Sequence, residues 1–165
     1  MKKMTITVLL AVLFMAVGLL ICRAEGSRRE DWMEYMETVC EKRQICPELV
    51  KAVIEQESGW DPEAVNGDCI GLMQISQISQ WPRMQKLGVV DLMDPYENIL
   101  TGVDLLEELF EQYEDPAAVL MYYNAGYSDR FGLNAYQQGR VSDYAKRVLQ
   151  RAEELERLHG KRDAG

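Results

Sequence analysis

One glutamate, Glu57, interrupts an otherwise apolar helix face, and no other residue in the chain is so plainly placed for acid–base chemistry. At about 100° per residue, Leu49, Val50, Val53 and Ile54 share a mean direction that Glu57 meets within about 10°, whereas Glu55 points the opposite way. A carboxyl held there loses hydration, and the nearby helix C-terminus adds negative potential. Both effects favour the protonated form. The expectation is a pKa above the usual carboxylate range, and hence a group that holds a proton near neutral pH and can pass it to a leaving oxygen. The alternative is that the last helical turn frays and Glu57 turns outward into water.

Other chemistries lack their parts. The chain has one histidine, His159, and no CxxC pair, so zinc peptidases and Ser-His or Cys-His hydrolases are excluded. His159 is expected near a helix C-terminus, where the partial negative charge suits it. Three of the 18 basic residues (Lys2, Lys3, Arg23) precede residue 25 and none of the 27 acidic ones do. The remaining 141 residues therefore carry 15 positive against 27 negative charges, a net −12. That surface repels nucleic acid.

The elements that must position Glu57 read as helices with few strands between them. Lys2 and Lys3 precede an uncharged apolar run, Met4 to Cys22, which is an export signal. At about the length needed to span a bilayer, it is either cleaved, with Ala24 as the site, or retained as an anchor; a lipoprotein site at Cys22 is the weaker option. Residues 1–24 are thus a leader or anchor and 25–30 a polar linker. Residues 31–160 form one domain, with 161–165 as a tail. Asp31 with Glu34 resembles a capping box opening a helix to about Arg43. Pro47 starts the helix that carries Glu57, Gly59 and Asp61-Pro62 stop it, and Asn66-Gly67-Asp68 reads as a turn. Gly71 to Ile75 is a short apolar piece of undecided state, followed by a loop or short helix to Gly88. Asp94-Pro95 and Asp115-Pro116 open two further helices, and Ser142 caps the last, which Gly160 should stop.

Cys40, Cys46 and Cys69 are an odd number for an exported domain. One bridge and one free thiol is the simplest count, with Cys46–Cys69 and Cys40–Cys46 both open; otherwise all three are small buried hydrophobes.

Four blocks carry a family resemblance. Glu57-Ser58-Gly59-Trp60, Gly71-Leu72-Met73-Gln74-Ile75, Met121-Tyr122-Tyr123-Asn124-Ala125-Gly126 and Tyr144-Ala145 with Val148 resemble, in order and spacing, the signatures of the SLT-type lytic transglycosylases. The resemblance implies an all-α (mainly α), lysozyme-like single domain of about six helices with a groove for peptidoglycan glycan strands. It implies that Glu57 is the catalytic acid and base, that Ser58 and Gln74 bond to substrate or to the glutamate's surroundings, and that Tyr123 and Asn124 line the groove. Tyr144 would place its hydroxyl at the acid. Gly71 reads as a tight turn and as backbone left bare for a sugar ring. Trp60 and Trp81 are candidates for stacking on sugars, although single tryptophans are more often structural.

Glycosidases usually need two carboxyls, and Asp61, Glu63 and Asp68 are most simply loop or capping residues. Family chemistry implies substrate assistance instead, ending in a 1,6-anhydro ring, with no metal or organic cofactor. The expected protein is a monomeric lyase of peptidoglycan. A muramidase of the same fold, or a glycan-binding module without turnover, are the alternatives.

Overall fold

The computed structural model describes residues 2–125, 136 and 138–163, with side chains throughout except at 2–12, 16, 20, 22–25, 27 and 162–163. By compactness the chain divides into Met1–Glu34 and Tyr35–Gly165. Among the described residues no helix is long and apolar enough to cross a membrane.

The first helix, α1, runs Lys2–Arg43 without interruption. Asp31 therefore does not open a new helix, and residues 25–30 are polar but helical. Most of Glu25–Glu30 favours helix, and the single Gly26 costs only ~1 kcal/mol. In the first unit Leu13, Phe14, Met15, Leu19 and Ile21 are exposed.

The second unit holds the core. α2 (Pro47–Glu57) begins at a proline, whose missing N–H costs nothing in the first turn. Three two-residue strands follow, β1 (Val65–Asn66), β2 (Cys69–Ile70) and β3 (Ile75–Ser76), antiparallel in that order. Val65 faces Ile70, which faces Ile75; Asn66 faces Cys69, which faces Ser76. The Asn66-Gly67-Asp68 turn is thus a tight hairpin with Gly67 at φ 66°. The Gly71–Gln74 segment is the loop of a second hairpin.

α3 (Trp81–Leu87) ends at Gly88, left-handed at φ 74°. α4 (Pro95–Gln112) is capped by Asp94, whose carboxylate accepts from the amides of Tyr96 and Glu97 at 2.9 and 3.0 Å. Asp115 caps α5 (Pro116–Ala125) through the Ala117 amide at 2.7 Å. Ser142 Oγ accepts from the Ala145 amide at 3.2 Å in front of α6 (Asp143–Asp163). α6 passes through Gly160, where one glycine among helix formers is again too small a penalty to end it.

Met36, Val50, Val53, Ile54, Leu72, Met73, Met84, Ile99, Leu106 and Leu120 form the centre of the core. α2 packs chiefly on α6, and α5 touches both α4 and α6. Burial of α2 goes beyond its apolar stripe and takes in Glu48 and Lys51. Each has a partner: Glu48 Oε1 meets His159 Nδ1 at 2.7 Å, and Lys51 Nζ meets Glu37 at 2.7 Å. His159 thus meets a buried carboxylate while lying near a helix C-terminus, as expected, four residues before the end of α6. Glu55, expected to face water, bonds Arg151 of α6 at 2.6 Å. Deeper still, Asp104 accepts from Arg83 and, at 2.7 Å, from Arg43.

Cys40, Cys46 and Cys69 are all free thiols, which corrects the one-bridge count. Burial pushes Cys40 up to about 12 and Cys46 up to about 11; Cys40 behaves as a small buried hydrophobe, whereas half-exposed Cys46 donates to Glu48 and Glu156.

Candidate active site

Glu57 is the last residue of α2 and is half-buried. Tyr144, in the first turn of α6 and 8% exposed, donates its hydroxyl to Glu57 Oε1 at 2.6 Å. Burial raises the Glu57 carboxyl above the usual range; the Tyr144 hydrogen bond pulls it down, and burial prevails. Burial and the neighbouring Glu57 charge also hold the Tyr144 phenol well above its ordinary value, so it remains a donor throughout any working pH range.

Immediately after Glu57 the chain turns sharply. Gly59 and Trp60 both have left-handed φ, 62° and 73°, a conformation that costs a non-glycine residue about 1–2 kcal/mol. Burial of Trp60 among the core side chains holds it there, which makes this tryptophan part of the core rather than a surface for sugars; Trp81 is exposed.

Ser58 points its hydroxyl at the hairpin loop: Oγ donates to the Leu72 carbonyl at 2.8 Å and accepts from the Trp60 amide at 3.2 Å. Tyr123 of α5 donates to the Met73 carbonyl at 2.7 Å. Burial raises the Tyr123 phenol well above its ordinary value, with the nearby Glu57 charge adding to it. Gln74, left-handed at φ 48°, donates from Nε2 to the carbonyls of Ala64 and Gly71, both at 3.0 Å. Asn124 is exposed near the end of α5, and Gly126, which closes that block, lies outside the described residues. Among the predicted residues, then, Tyr144 touches Glu57 directly. Ser58, Gln74 and Tyr123 grip the hairpin backbone beside it.

Gly71 has φ 75°, and a Cβ there would collide with the Asn98 side chain and the Leu92 carbonyl. Its bare face is filled by protein, so the glycine is required for a close approach of Asn98 rather than of a sugar. A Cβ on Gly102 would likewise strike the sulfur of Met73, which packs into the gap on α4.

Asn98 is the residue that sequence reasoning missed. It is fully buried on α4; Oδ1 accepts from the Met73 amide at 2.8 Å, and Nδ2 donates to Ile70 and Leu92 carbonyls at 2.8 and 2.9 Å. The available signal was the small and polar row Asn98, Thr101, Gly102, which reads as a solvent face until the hairpin covers it. The loop backbone from Ile70 to Met73 is thereby held by side chains from α4, α5 and the end of α2.

The other local carboxylates are engaged in turns. Asp61 accepts from the Glu63 amide at 2.9 Å, Asp68 accepts from Ser76, and Asp61, Glu63 and Asp68 are all exposed. Among the described residues, no cluster of three His, Cys, Asp or Glu is placed to hold a metal ion. The arrangement offers one partly dehydrated carboxyl with a phenolic donor.

A mainly α domain with a small antiparallel hairpin sheet and a glutamate at a helix end defines a lysozyme-like class. Residues 34–145 match the family model described as the Transglycosylase SLT domain, and the chain belongs to that family. It is 31% identical over 96 residues to a transglycosylase of Enterobacteria phage PRD1, covering 58% of this chain and 35% of the relative. It is 35% identical over 89 residues to a membrane-bound lytic murein transglycosylase F of Desulfosudis oleivorans, covering 52% and 19%. The match thus spans 35% of the length of the first relative and 19% of the second. Its fold is that of the lytic transglycosylase Slt of Pseudomonas aeruginosa, solved as an inactive glutamate-to-glutamine mutant: TM-score 0.59, 21% identity, 72% of this chain and 23% of that one.

Proposed function

We propose that this chain is a peptidoglycan lytic transglycosylase cleaving the β-1,4 bond between N-acetylmuramic acid and N-acetylglucosamine. The observation that carries the reading is the partly buried Glu57, raised in pKa and bonded by Tyr144 at 2.6 Å. Protonated Glu57 gives its proton to the glycosidic oxygen as the bond to the muramic anomeric carbon breaks. The N-acetyl carbonyl oxygen of the same sugar closes onto that carbon. Glu57, now ionised, removes the proton from the sugar's 6-hydroxyl, whose oxygen displaces the acetamido oxygen and forms the 1,6-anhydro ring. Glu57 ends protonated and no water is consumed. One group acting as acid and then base needs a pKa near the working pH, and partial burial moves Glu57 upward, in that direction.

In this reading Tyr144 orients Glu57 and steadies its ionised state. Ser58, Gln74 and Tyr123 position the Gly71–Gln74 loop as one wall of the glycan groove, Gly71 seats that loop, and exposed Asn124 contacts the strand. The domain is residues 31–160, active as a monomer and followed by a tail at 161–165. Residues 1–24 export it or anchor it at the wall face of the membrane, and 25–30 connect the two. The charge order of Lys2 and Lys3 before Met4–Cys22 supports this, as do the exposed Leu13, Phe14 and Ile21.

Mass spectrometry of sacculi digested by the wild type and by Glu57→Gln tests the chemistry. Anhydro-muramic ends from the wild type alone are expected. Reducing muramic ends would make the protein a hydrolase, and equal products from both proteins would remove Glu57 from the mechanism.

A further inference from the structure

Away from Glu57, a cavity of about 740 Å³ opens where the ends of α1, α4 and α5 meet the start of α2 and the middle of α6. Leu49 on its wall lies two turns, about 12 Å, up α2 from Glu57, so this is not the glycan site. Ile45, Leu49 and Ala152 form a buried floor, and Phe110, Leu149 and Cys46 are half-exposed above it. Three exposed glutamates, Glu111, Glu153 and Glu156, stand on the rim. Of the two basic residues among the described lining residues, Arg43 is already committed to Asp104 and Glu107, which leaves Lys42 against three carboxylates.

We propose that this groove docks a partner polypeptide offering apolar side chains flanked by lysine or arginine. Its volume is that of pockets which enclose a ligand, and its apolar floor inside a charged rim has the anatomy of a small interaction hot spot. The rim charge selects a cationic partner and speeds its encounter. A second copy, which carries the same acidic rim and a net charge of −9, is repelled, as are nucleic acid and anionic lipid. The groove and Glu57 lie at opposite ends of α2, so docking holds the enzyme without covering its site.

Cys46 in the groove reports occupancy, with Cys69 in the hairpin as the control within the same molecule. The full chain is alkylated with a maleimide, and the rate at each cysteine is read by mass spectrometry. Three probes are the peptide Lys-Lys-Phe-Leu-Lys-Lys, the same peptide with glutamate for lysine, and the lysine peptide with serine for Phe and Leu. The first should slow alkylation of Cys46 at least fivefold without affecting Cys69, and the other two should not. The double variant Glu111→Lys, Glu153→Lys should lose that protection while cleaving glycan at the wild-type rate. Protection that is absent, equal for the acidic peptide, or equal for the serine peptide overturns the proposal. So does protection that appears without peptide as the protein is concentrated, since that would make a second copy the occupant.

Discussion

Replacing Asn98 by alanine removes three hydrogen bonds at once, all to backbone groups of the segments it joins. The Met73 amide loses its acceptor in a fully buried setting, which costs about 1–3 kcal/mol. Each of the Ile70 and Leu92 carbonyls loses a donor, at about 0.5–1.5 kcal/mol apiece. The sum centres on about 4 kcal/mol, at the upper end of what single substitutions do, and corresponds to a fall in Tm of about 15 °C for a domain of this size. Urea denaturation of the wild type, Asn98→Ala and Asn98→Leu measures it. Leucine has the same branching and the same number of side-chain heavy atoms but restores no bond, and its methyls crowd backbone atoms that stand 2.8–2.9 Å from the asparagine, so it should lose at least as much as alanine. If Asn98→Leu unfolds within about 1 kcal/mol of the wild type, the hairpin is held by packing alone and the reasoning given for Asn98 is refuted.

Tyr144→Phe removes the one interaction that lowers the Glu57 pKa, so the basic limb of the pH–rate profile should move to higher pH. The rate should also fall about 10–100-fold, as expected for losing a hydrogen bond to a charged group; an unmoved limb would show that the two groups are not coupled in solution. Glu57→Gln should stabilise the protein near neutrality. Because burial raises the native pKa of Glu57 above its unfolded value, the wild type has its full stability below the unfolded pKa and loses part of it as pH rises through the native pKa; glutamine does not titrate. The difference between the two in denaturant should be near zero at acid pH and favour the variant at neutral pH, and a difference independent of pH contradicts the burial argument. Asp104→Ala leaves Arg83 buried without its main counter-ion and should cost about 3–5 kcal/mol, read by thermal melting; a loss below about 1 kcal/mol would mean that water enters to solvate Arg83.

What could be read from the sequence follows the range of the forces concerned. Asp94-Pro95, Asp115-Pro116 and Ser142 announce helix starts because a cap and its amide are two or three residues apart. Glu57 could be singled out because a helix face repeats every 3.6 residues and a carboxyl on it breaks the pattern. Its bond to Tyr144, 87 residues away, was reachable only by resemblance. The hairpin loop was undecided because its strands are two residues long and carry almost no local preference. Asn98, Gly102, Ser58 and Tyr123 decide its shape, and three of those lie 25 or more residues from the groups they hold. Gly160, read as a stop, sits inside α6, the polar stretch 25–30 read as a linker is helical, and Glu48 and Lys51 are buried because each found a partner that local sequence does not display.

Six ladder residues cannot support a sheet of their own, so the β1–β3 hairpins borrow their rigidity from the helices that grip the Gly71–Gln74 loop. Segments around active sites are commonly the first to open on warming. Here the loop beside Glu57 is stitched to the first turn of α4 through Asn98, so on the proposed function heat should abolish activity only when the whole domain melts, with no earlier stage in which a folded protein has lost its activity.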